Sequence, residues 1–583
     1  MVKFNRDTIK DKIHACWIGK NIGGTIGTPF EGRAELLDIK GFTTKKGEPL
    51  PNDDLDLQLV NLHALEEYGF KLTASDFSKE WAEHVYFPFD EYGYAIKNIR
   101  MGIGAPLSGK YDNPFTDCMG APIRSELWAA IAAGKPEVAA YFALQDAQVD
   151  HAGGEGVWGE IFYAVLESMA FNSENKVELI EKALSYIDSS SLTYCAVKDT
   201  LDWFLQGVSY DEIRDKILAS YKDSNFTHAP QNIAFTMVGF LYGNDFVDSL
   251  LKAVNLGYDT DCTGATLGAL LGIMYGTKYI PKEWVDAIGT NIVVSAPIRG
   301  LNFPKTLDEL TQRTIKLSQK LELENNFNIE QEWDFDVQKY TLPFGSRENN
   351  ISVYLCLEDG LSFKANEKKK LSITLVNNSD YTRTFGACFD GAGLFKSNCG
   401  EAELILEPKA PTTAEFEITA SDSLLAVNEC KILLKEYNEG NIWCKYPISV
   451  VLFRAVKWIV DNEEVYTQTN TIKLNSGKHT VSTAFKNPKK RTVKLICACN
   501  EKYTLCLDGK TVISCDEKQA YIPAFHRCPE NQFATLCLDE GIHNISINIY
   551  AEEEATLSVL PVANDSKKDK SGYYYFIDCE MLI

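Results

Sequence analysis

No run of about 18 apolar residues occurs anywhere in the chain, so no segment reads as a membrane-spanning helix. The opening MVKFNRDTIKDK has no apolar h-region of the kind a secretory leader needs. The 16 cysteines include no CxxC pair and are scattered, which excludes the spacing of a zinc ribbon or a small disulfide framework. Positive charge is also short: 58 Lys and Arg face 81 Asp and Glu, for a formal net charge of −23. Such a field repels phosphate backbones and anionic lipid, so neither nucleic acid nor membrane is an expected partner. A phosphate-bearing ligand would need local compensation by a metal or by helix N-termini. These absences predict a soluble protein of a reducing compartment, placed in the cytoplasm. At 583 residues the chain exceeds one core and reads as about three domains.

The stretch that organises the rest is Asn255 to Gly276, NLGYDTDCTGATLGALLGIMYG. Asp259 and Asp261 stand two residues apart, a spacing that cannot share one helical face, so they belong to a loop entering a helix. There they can converge on one hard cation beside the helix's positive end. The helix carries Gly264, Gly268, Gly272 and Gly276, one every fourth residue. Each costs roughly 1 kcal/mol against alanine, so the spacing predicts a groove that another helix backbone enters. Asp11 to Gly32 repeats the design with Gly19, Gly23 and Gly27, and ends near Glu31. Pro51 to Gln58, PNDDLDLQ, packs Asp53, Asp54 and Asp56 behind a turn signal. These are either metal ligands or solvated acids favoured by a helix N-terminus.

Together these stretches resemble the ADP-ribosylglycohydrolase family, with dinitrogenase-reductase-activating and ADP-ribosyl-acceptor hydrolases among its members. A Gly-rich first helix ending PFEG, an acidic cluster some twenty residues on, the segment GAPIR at Gly120 to Arg124, Asp150-His151 before a helix, and the late GxDTD loop carry the resemblance. It covers roughly residues 8 to 320 and implies an all-α catalytic domain and one or two Mg²⁺ ions, with Mn²⁺ as a substitute. The metal ligands it implies are Asn52, Asp53, Asp54, Asp259, Asp261, Cys262 and Thr263. It further implies Glu31, in a position some relatives give to a mobile glutamate, as acid/base, with Asp56 or the ligand Asp54 as the alternative. Gly120, Arg124, His151 and Tyr92 become candidates for the substrate. Two positions depart from the family pattern. Asn52 replaces the usual Thr, and its amide oxygen can still coordinate. Cys262 replaces a hydroxyl residue with a soft ligand suited poorly to Mg²⁺, so Thr263 substitutes, a water fills the place, or one metal position is weak.

Several residues keep a structural alternative. Arg124 pairs with a phosphate or with a neighbouring acid, and His151 orients a ligand or is simply buried. Residues 84 to 124 show no helical period, and their aromatics, Tyr92 among them, form a pocket wall or merely pack a loop. His14 is expected in the core or at a cap. Beyond it, helices are expected over Lys176 to Ile187, Ser191 to Phe204, Ser209 to Ser220, Gln231 to Leu241 and Asp245 to Asn255, the last capped by Asn244.

After Leu323 apolar residues alternate, as in Ile351, Val353, Leu355 and Leu357, which predicts strands. The expected architecture is multidomain: an all-α domain over 1–325, a linker over 326–345, a β-sandwich of Ig or fibronectin type over 346–460, and a jelly-roll-like β-sandwich over 461–583. The β domains serve packing, self-association or carbohydrate contact. The resemblance implies a small-molecule or ADP-ribosylated substrate and hydrolysis of a ribosyl N- or O-glycosidic bond. A glycosidase or nucleosidase acting on another sugar is the alternative, and a catalytically inactive sugar- or nucleotide-binding protein a third.

Overall fold

Glycines at four-residue spacing on two helices meet each other. In the computed structural model, the first helix spans Arg6–Gly27 and is buried on every side from Ala15 onward. It lies against the Thr260–Tyr275 helix so closely that neither tolerates a side chain at the seam. A Cβ on Gly19 would lie 2.0 Å from the Gly268 carbonyl oxygen, one on Gly23 1.9 Å from that of Gly264, and one on Gly27 2.2 Å from that of Thr260. From the other side, a Cβ on Gly272 would lie 2.3 Å from the Ala15 oxygen. Residue numbers rise on one helix as they fall on the other, so the pair is antiparallel. The C-terminal end of the first helix therefore meets the N-terminal end of the late one, which brings the Glu31 region to Asp259 and Asp261. Gly276 does a different job: at φ +76° it ends the late helix.

The structure describes residues 6–44, 47–322, 338–342, 351–564, 575–576 and 580–582. Two units account for the chain: Met1–Phe87, Glu91–Ile99 and Gly104–Trp333 form one, and Pro88–Asp90, Arg100–Ile103 and Asp334–Ile583 the other. The first is built from helices alone among its described elements. Helices at Lys176–Leu184, Leu192–Leu205, Tyr210–Tyr221, Ala229–Tyr242 and Phe246–Val254 follow the apolar spacing. Asp245, not Asn244, caps the last of these, its carboxylate accepting from the Asp248 amide at 2.9 Å. His14 sits at a half-buried position, 3.0 Å from the Thr311 hydroxyl.

Residues 84–124 differ from expectation. They contain helices at Asp90–Arg100 and Leu107–Lys110 and a 3₁₀ turn at Pro122–Arg124. The Asp90–Arg100 helix is buried on nearly all faces, Tyr92 and Tyr94 included. Its buried positions include Asp90, Glu91 and Asn98 beside the aromatics, so burial here does not follow an apolar stripe alone.

The second unit holds two β-sandwiches. In one, a sheet ordered Gln338–Leu342, Ile351–Leu357, Lys368–Asn377, Pro411–Ala420, Phe395–Ser397 faces another ordered Ser362–Phe363, Asn441–Arg454, Val427–Asn438, Arg383–Asp390, Ala402–Leu406. Val353, Ile373 and Phe416 from the first pack with Phe385, Ile432 and Leu452 from the second. Gln338–Leu342 pairs antiparallel with Ile351–Leu357, so part of the expected linker is strand; its remainder lies outside the described residues. In the other sandwich, Trp458, Val481, Leu505 and Ile547 of one sheet pack on Leu495, Leu557 and Val559 of its partner. Val456–Val460 pairs with Glu463–Thr467 and Gly477–Asn487, so this sandwich begins before the expected position 461. The LDGK turn closes the Lys502–Leu507 and Lys510–Cys515 hairpin with Asp508 and Gly509 at φ +49° and +80°.

Candidate active site

Two helix N-termini and one loop supply the acids. Asn52 caps the Asp53–Tyr68 helix by accepting the Asp54 amide at 2.7 Å, which sets Asp53 and Asp54 in the first turn. Asp259 sits at the N-cap of the late helix and Asp261 in its first turn. The Thr260 hydroxyl donates to the Gly27 carbonyl at 2.8 Å, tying this helix start to the end of the first helix. Glu31 follows the Thr28–Phe30 turn, and the next residues are strapped to the late motif: the Gly32 amide donates to the Tyr258 carbonyl at 2.9 Å, and the Tyr258 amide to Arg33 at 2.7 Å. Gly257, at φ +80°, lets this strap close, because a Cβ there would lie 2.5 Å from the Glu35 carbonyl oxygen.

The result is a cluster centred on Asp261. Carboxylate oxygens of Glu31, Asp259 and Asp261 lie within 4.8 Å of one another, as do ligand atoms of Asp54, Asp261 and Cys262. Glu31 is exposed, whereas Asp54, Asp259 and Asp261 are buried. Both oxygens of Asp54, both of Asp259 and Oδ1 of Asp261 have no hydrogen-bond partner. Burial pushes all three carboxyls well above the usual range; Asp261 and Glu31 press further on Asp259, and Glu31 and Asp53 on Asp261. At Asp54 the nearby Lys20 ammonium opposes that shift without overcoming it. Unpartnered carboxylates this close and this dry are unstable as bare anions, and they match the oxygen donor set of a hard divalent cation.

The remaining expected ligands stand differently. The Asn52 oxygen is engaged as a cap, and its amide nitrogen is 3.5 Å from Asp261 Oδ2, so Asn52 presents a donor to the cluster where a ligand was expected. The Thr263 hydroxyl donates to the Thr260 carbonyl at 3.2 Å, the back-bond available to a threonine within a helix. Burial, and next the Asp259 charge, push the Cys262 thiol well up, which keeps it protonated beside the acids. Asp53 is half-buried and accepts from the Tyr92 hydroxyl at 3.3 Å. Asp56 faces elsewhere: its Oδ2 accepts from the Ser295 amide at 3.1 Å, and burial raises its carboxyl to about 8.

Beneath the acids lies a layer that the sequence did not announce. Lys20 is 1% exposed, with its ammonium 2.7 Å from Glu126 Oε1, 2.8 Å from the Ile123 carbonyl and 3.6 Å from Asp54 Oδ1. Gln58 donates to Glu126 Oε2 at 2.7 Å and accepts from the Leu127 amide at 2.9 Å. The one visible signal is a lysine inside the otherwise uncharged run ACWIGKNIGG.

The expected substrate residues are interior. Arg124 is wholly buried, and its hydrogen bonds go to Asp150, bidentate at 2.9 Å each, to Asp146 and to the Gly120 carbonyl. This is the neighbouring-acid alternative, and no phosphate reaches it. Although burial pushes Asp150 up, the Arg124 guanidinium holds it down at about 2. His151 is also fully buried, Nδ1 3.0 Å from Asp150 Oδ1 and its ring against Gly156. Tyr92, 2% exposed, offers no stacking wall and instead positions Asp53. Gly120 makes room for it, since a Cβ there would meet the Tyr92 ring at 2.5 Å.

Residues 5–322 match the ADP-ribosylglycohydrolase family. The chain belongs to that family. It is thus a hydrolase of glycosyl bonds, and the two β-sandwiches lie outside the matched region. Over 294 residues it is 24% identical to the ADP-ribosylarginine hydrolase Tri1 of Pseudomonas putida (strain GB-1), spanning 48% of this chain and 74% of that protein. An uncharacterized protein of Archaeoglobus fulgidus is 23% identical over 299 residues, 48% of this chain and 92% of that one. Among solved structures, an ADP-ribosylglycohydrolase-related protein complex aligns at a TM-score of 0.37 and 18% identity, covering 54% of this chain and 99% of its own. No helix among the described residues is long and apolar enough to cross a membrane.

Proposed function

We propose that the protein hydrolyses the bond between ribose and its acceptor in an ADP-ribosyl conjugate, with Mg²⁺, or Mn²⁺ in its place, held by Asp54, Asp259 and Asp261 and joined by Asp53. The observation that carries this reading is the set of unpartnered, buried carboxylate oxygens around Asp261. Bound there, one or two divalent ions would fix adjacent ribose hydroxyls and polarise a water beside the anomeric carbon. The carboxylates then stabilise positive charge as the glycosidic bond opens. Glu31, exposed at the rim, is placed to hold and return the proton that passes between water and acceptor. Asn52 steers Asp261 with its amide, Tyr92 fixes Asp53, and the Lys20–Glu126 pair beneath Asp54 sets its position. Asp56, wholly buried and bonded to Ser295, supports the helix start and takes no proton from substrate.

A second reading, cleavage of a phosphate-free riboside or plain glycoside, is favoured by one observation. Arg124 and Lys20, the buried cations beneath the acids, are both committed to carboxylates, so neither is available to a pyrophosphate. The test is release of ADP-ribose from ADP-ribosylated arginine and serine peptides with Mg²⁺ or with chelator, beside a panel of nucleosides and aryl glycosides. Mg²⁺-dependent release lost in Asp53→Ala and Asp261→Ala is the expected result. Cleavage of phosphate-free substrates alone would move the assignment to the second reading.

A further inference from the structure

At the far end of the Asp53–Tyr68 helix, three side chains converge away from the acids. His63 lies nine residues after Asp54, about 14 Å along the helix axis at 1.5 Å per residue. Opposite it, on the Ala74–His84 helix, Glu80 and His84 stand one turn apart on one face. His63 Nδ1 is 2.7 Å from Glu80 Oε2, and His84 Nε2 is 3.8 Å from the same oxygen. The two imidazoles meet edge to face at 5.1 Å. Ligand atoms from all three lie within 4.8 Å of one another, with Glu80 only 3% exposed.

The tautomer of His84 is set by its other nitrogen. Nδ1 is 2.7 Å from the Arg299 carbonyl oxygen, which can only accept, so Nδ1 carries a proton and Nε2 is the nitrogen available to a metal. That nitrogen faces the Glu80 carboxylate across 3.8 Å. The gap is too long for a hydrogen bond, so a proton on Nε2 would not bridge it. Two metal–ligand bonds of about 2.1 Å span it at an angle of about 130°, and the 2.7 Å contact between His63 Nδ1 and the same oxygen opens to about 3.4 Å when an ion enters between them. A backbone carbonyl on the far nitrogen of a histidine is also the usual orienting contact of a metal-bound imidazole.

We propose that His63, Glu80 and His84 bind a transition-metal dication of the Zn²⁺ class, separate from the acidic cluster, with a water or the exposed Glu83 carboxylate in the fourth place. Two imidazoles and one carboxylate select Zn²⁺, Co²⁺ or Ni²⁺ over Mg²⁺. The ion joins the two helices and, through His84, the segment at Arg299.

The full chain, stripped by chelator and resupplied with excess Mg²⁺, is titrated with Co²⁺ while its visible d–d bands are followed, and with Zn²⁺ while thermal unfolding is followed. The expected result is one equivalent of four-coordinate Co²⁺ in the wild type and in Asp261→Asn. In His63→Gln and in His84→Gln binding weakens at least tenfold and the Zn²⁺-induced rise in Tm is lost. His63 is partly exposed, so its variant folds even if the His84 variant does not. Co²⁺ binding that follows Asp261→Asn instead, a weak six-coordinate spectrum, or no uptake beyond the Mg²⁺ sites would overturn the proposal and leave His63 and Glu80 as a simple ion pair.

Discussion

Gly23→Ala should cost both stability and activity, and the magnitude follows from the helix seam. The new Cβ would lie 1.9 Å from the Gly264 oxygen, 2.2 Å from its carbonyl carbon and 2.6 Å from the Ala265 nitrogen. All three are backbone atoms, so no side chain can rotate away. Reaching ordinary contact near 3.5 Å requires the helices to part by roughly 1.5 Å, which opens the contacts at Gly19 and Gly27 as well. Overpacking typically costs 1–3 kcal/mol, and the better helix propensity of alanine returns about 1 kcal/mol. A seam that is rigid on both sides belongs at or above the top of the overpacking range, so the net loss should be at least about 2 kcal/mol. In a helical unit of this size that lowers Tm by about 4 °C. Because the same seam sets Glu31 beside Asp259, a displacement of about 1 Å should also slow turnover on the order of a hundredfold. Gly207→Ala is the control: φ is +80° with open space around the site, so alanine costs about 1 kcal/mol of backbone strain and leaves turnover unchanged. Calorimetry and a kcat measurement on both variants decide the matter. A Gly23→Ala protein with unaltered Tm and kcat would refute the view that backbone contact positions the site.

Three other outcomes are expected. Asp259→Asn removes a buried like charge, so the metal-free protein should melt higher than wild type while the Tm rise on adding Mg²⁺ shrinks; for wild type that rise should approach about 2.7 kcal/mol at a hundredfold excess over Kd, read by thermal shift. Lys20→Met leaves Glu126 and Asp54 without their cation and should cost about 3–5 kcal/mol in urea unfolding, whereas a loss under 1 kcal/mol would mean the acids beneath are already protonated. The Arg124 guanidinium holds Asp150 at about 2, below the ordinary aspartate value of about 3.9, so its contribution of about 2 kcal/mol is complete above about pH 5 and disappears as pH falls through about 2. The stability gap between wild type and Asp150→Asn should therefore close over that window, and a gap constant from pH 5 to pH 2 would contradict the Arg124 pairing.

What the sequence disclosed depended on how each residue's task shows in its neighbours. The glycine repeats and the DTD and NDD clusters are local patterns; the NDD cluster opens its helix as expected, whereas the late helix starts one residue before Asp261, which lies in its first turn and not on the entering loop. The alternating strands were legible because each sheet keeps one solvated face, as in the buried and exposed alternation of Pro411–Ala420. The Asp90–Arg100 helix was hidden because its buried positions carry Asp90, Glu91 and Asn98 among the aromatics. Arg124 stayed open between a phosphate and a neighbouring acid because an arginine after a glycine-containing segment looks the same in either case; only long-range packing brings Asp150 to it. The side-chain oxygen of Asn52 suits either a cap or a cation, a choice that local sequence does not make, and the Asp54 amide claims it. Lys20 finds its partners more than thirty residues away, at Asp54 and Glu126, and no spacing rule reaches so far.

The bond from Thr260 to Gly27 spans 233 residues of chain. During synthesis the first helix therefore waits, carrying half of the acid cluster's scaffold, until nearly the whole helical unit has been made. A closure this distant is slow to find and is favoured only once the intervening helices have shortened the effective loop. The acid cluster has no partial form: a fragment that ends before the late helix holds Asp53 and Asp54 without Asp259 and Asp261, so the cluster is complete only once the two ends of the helical unit have met.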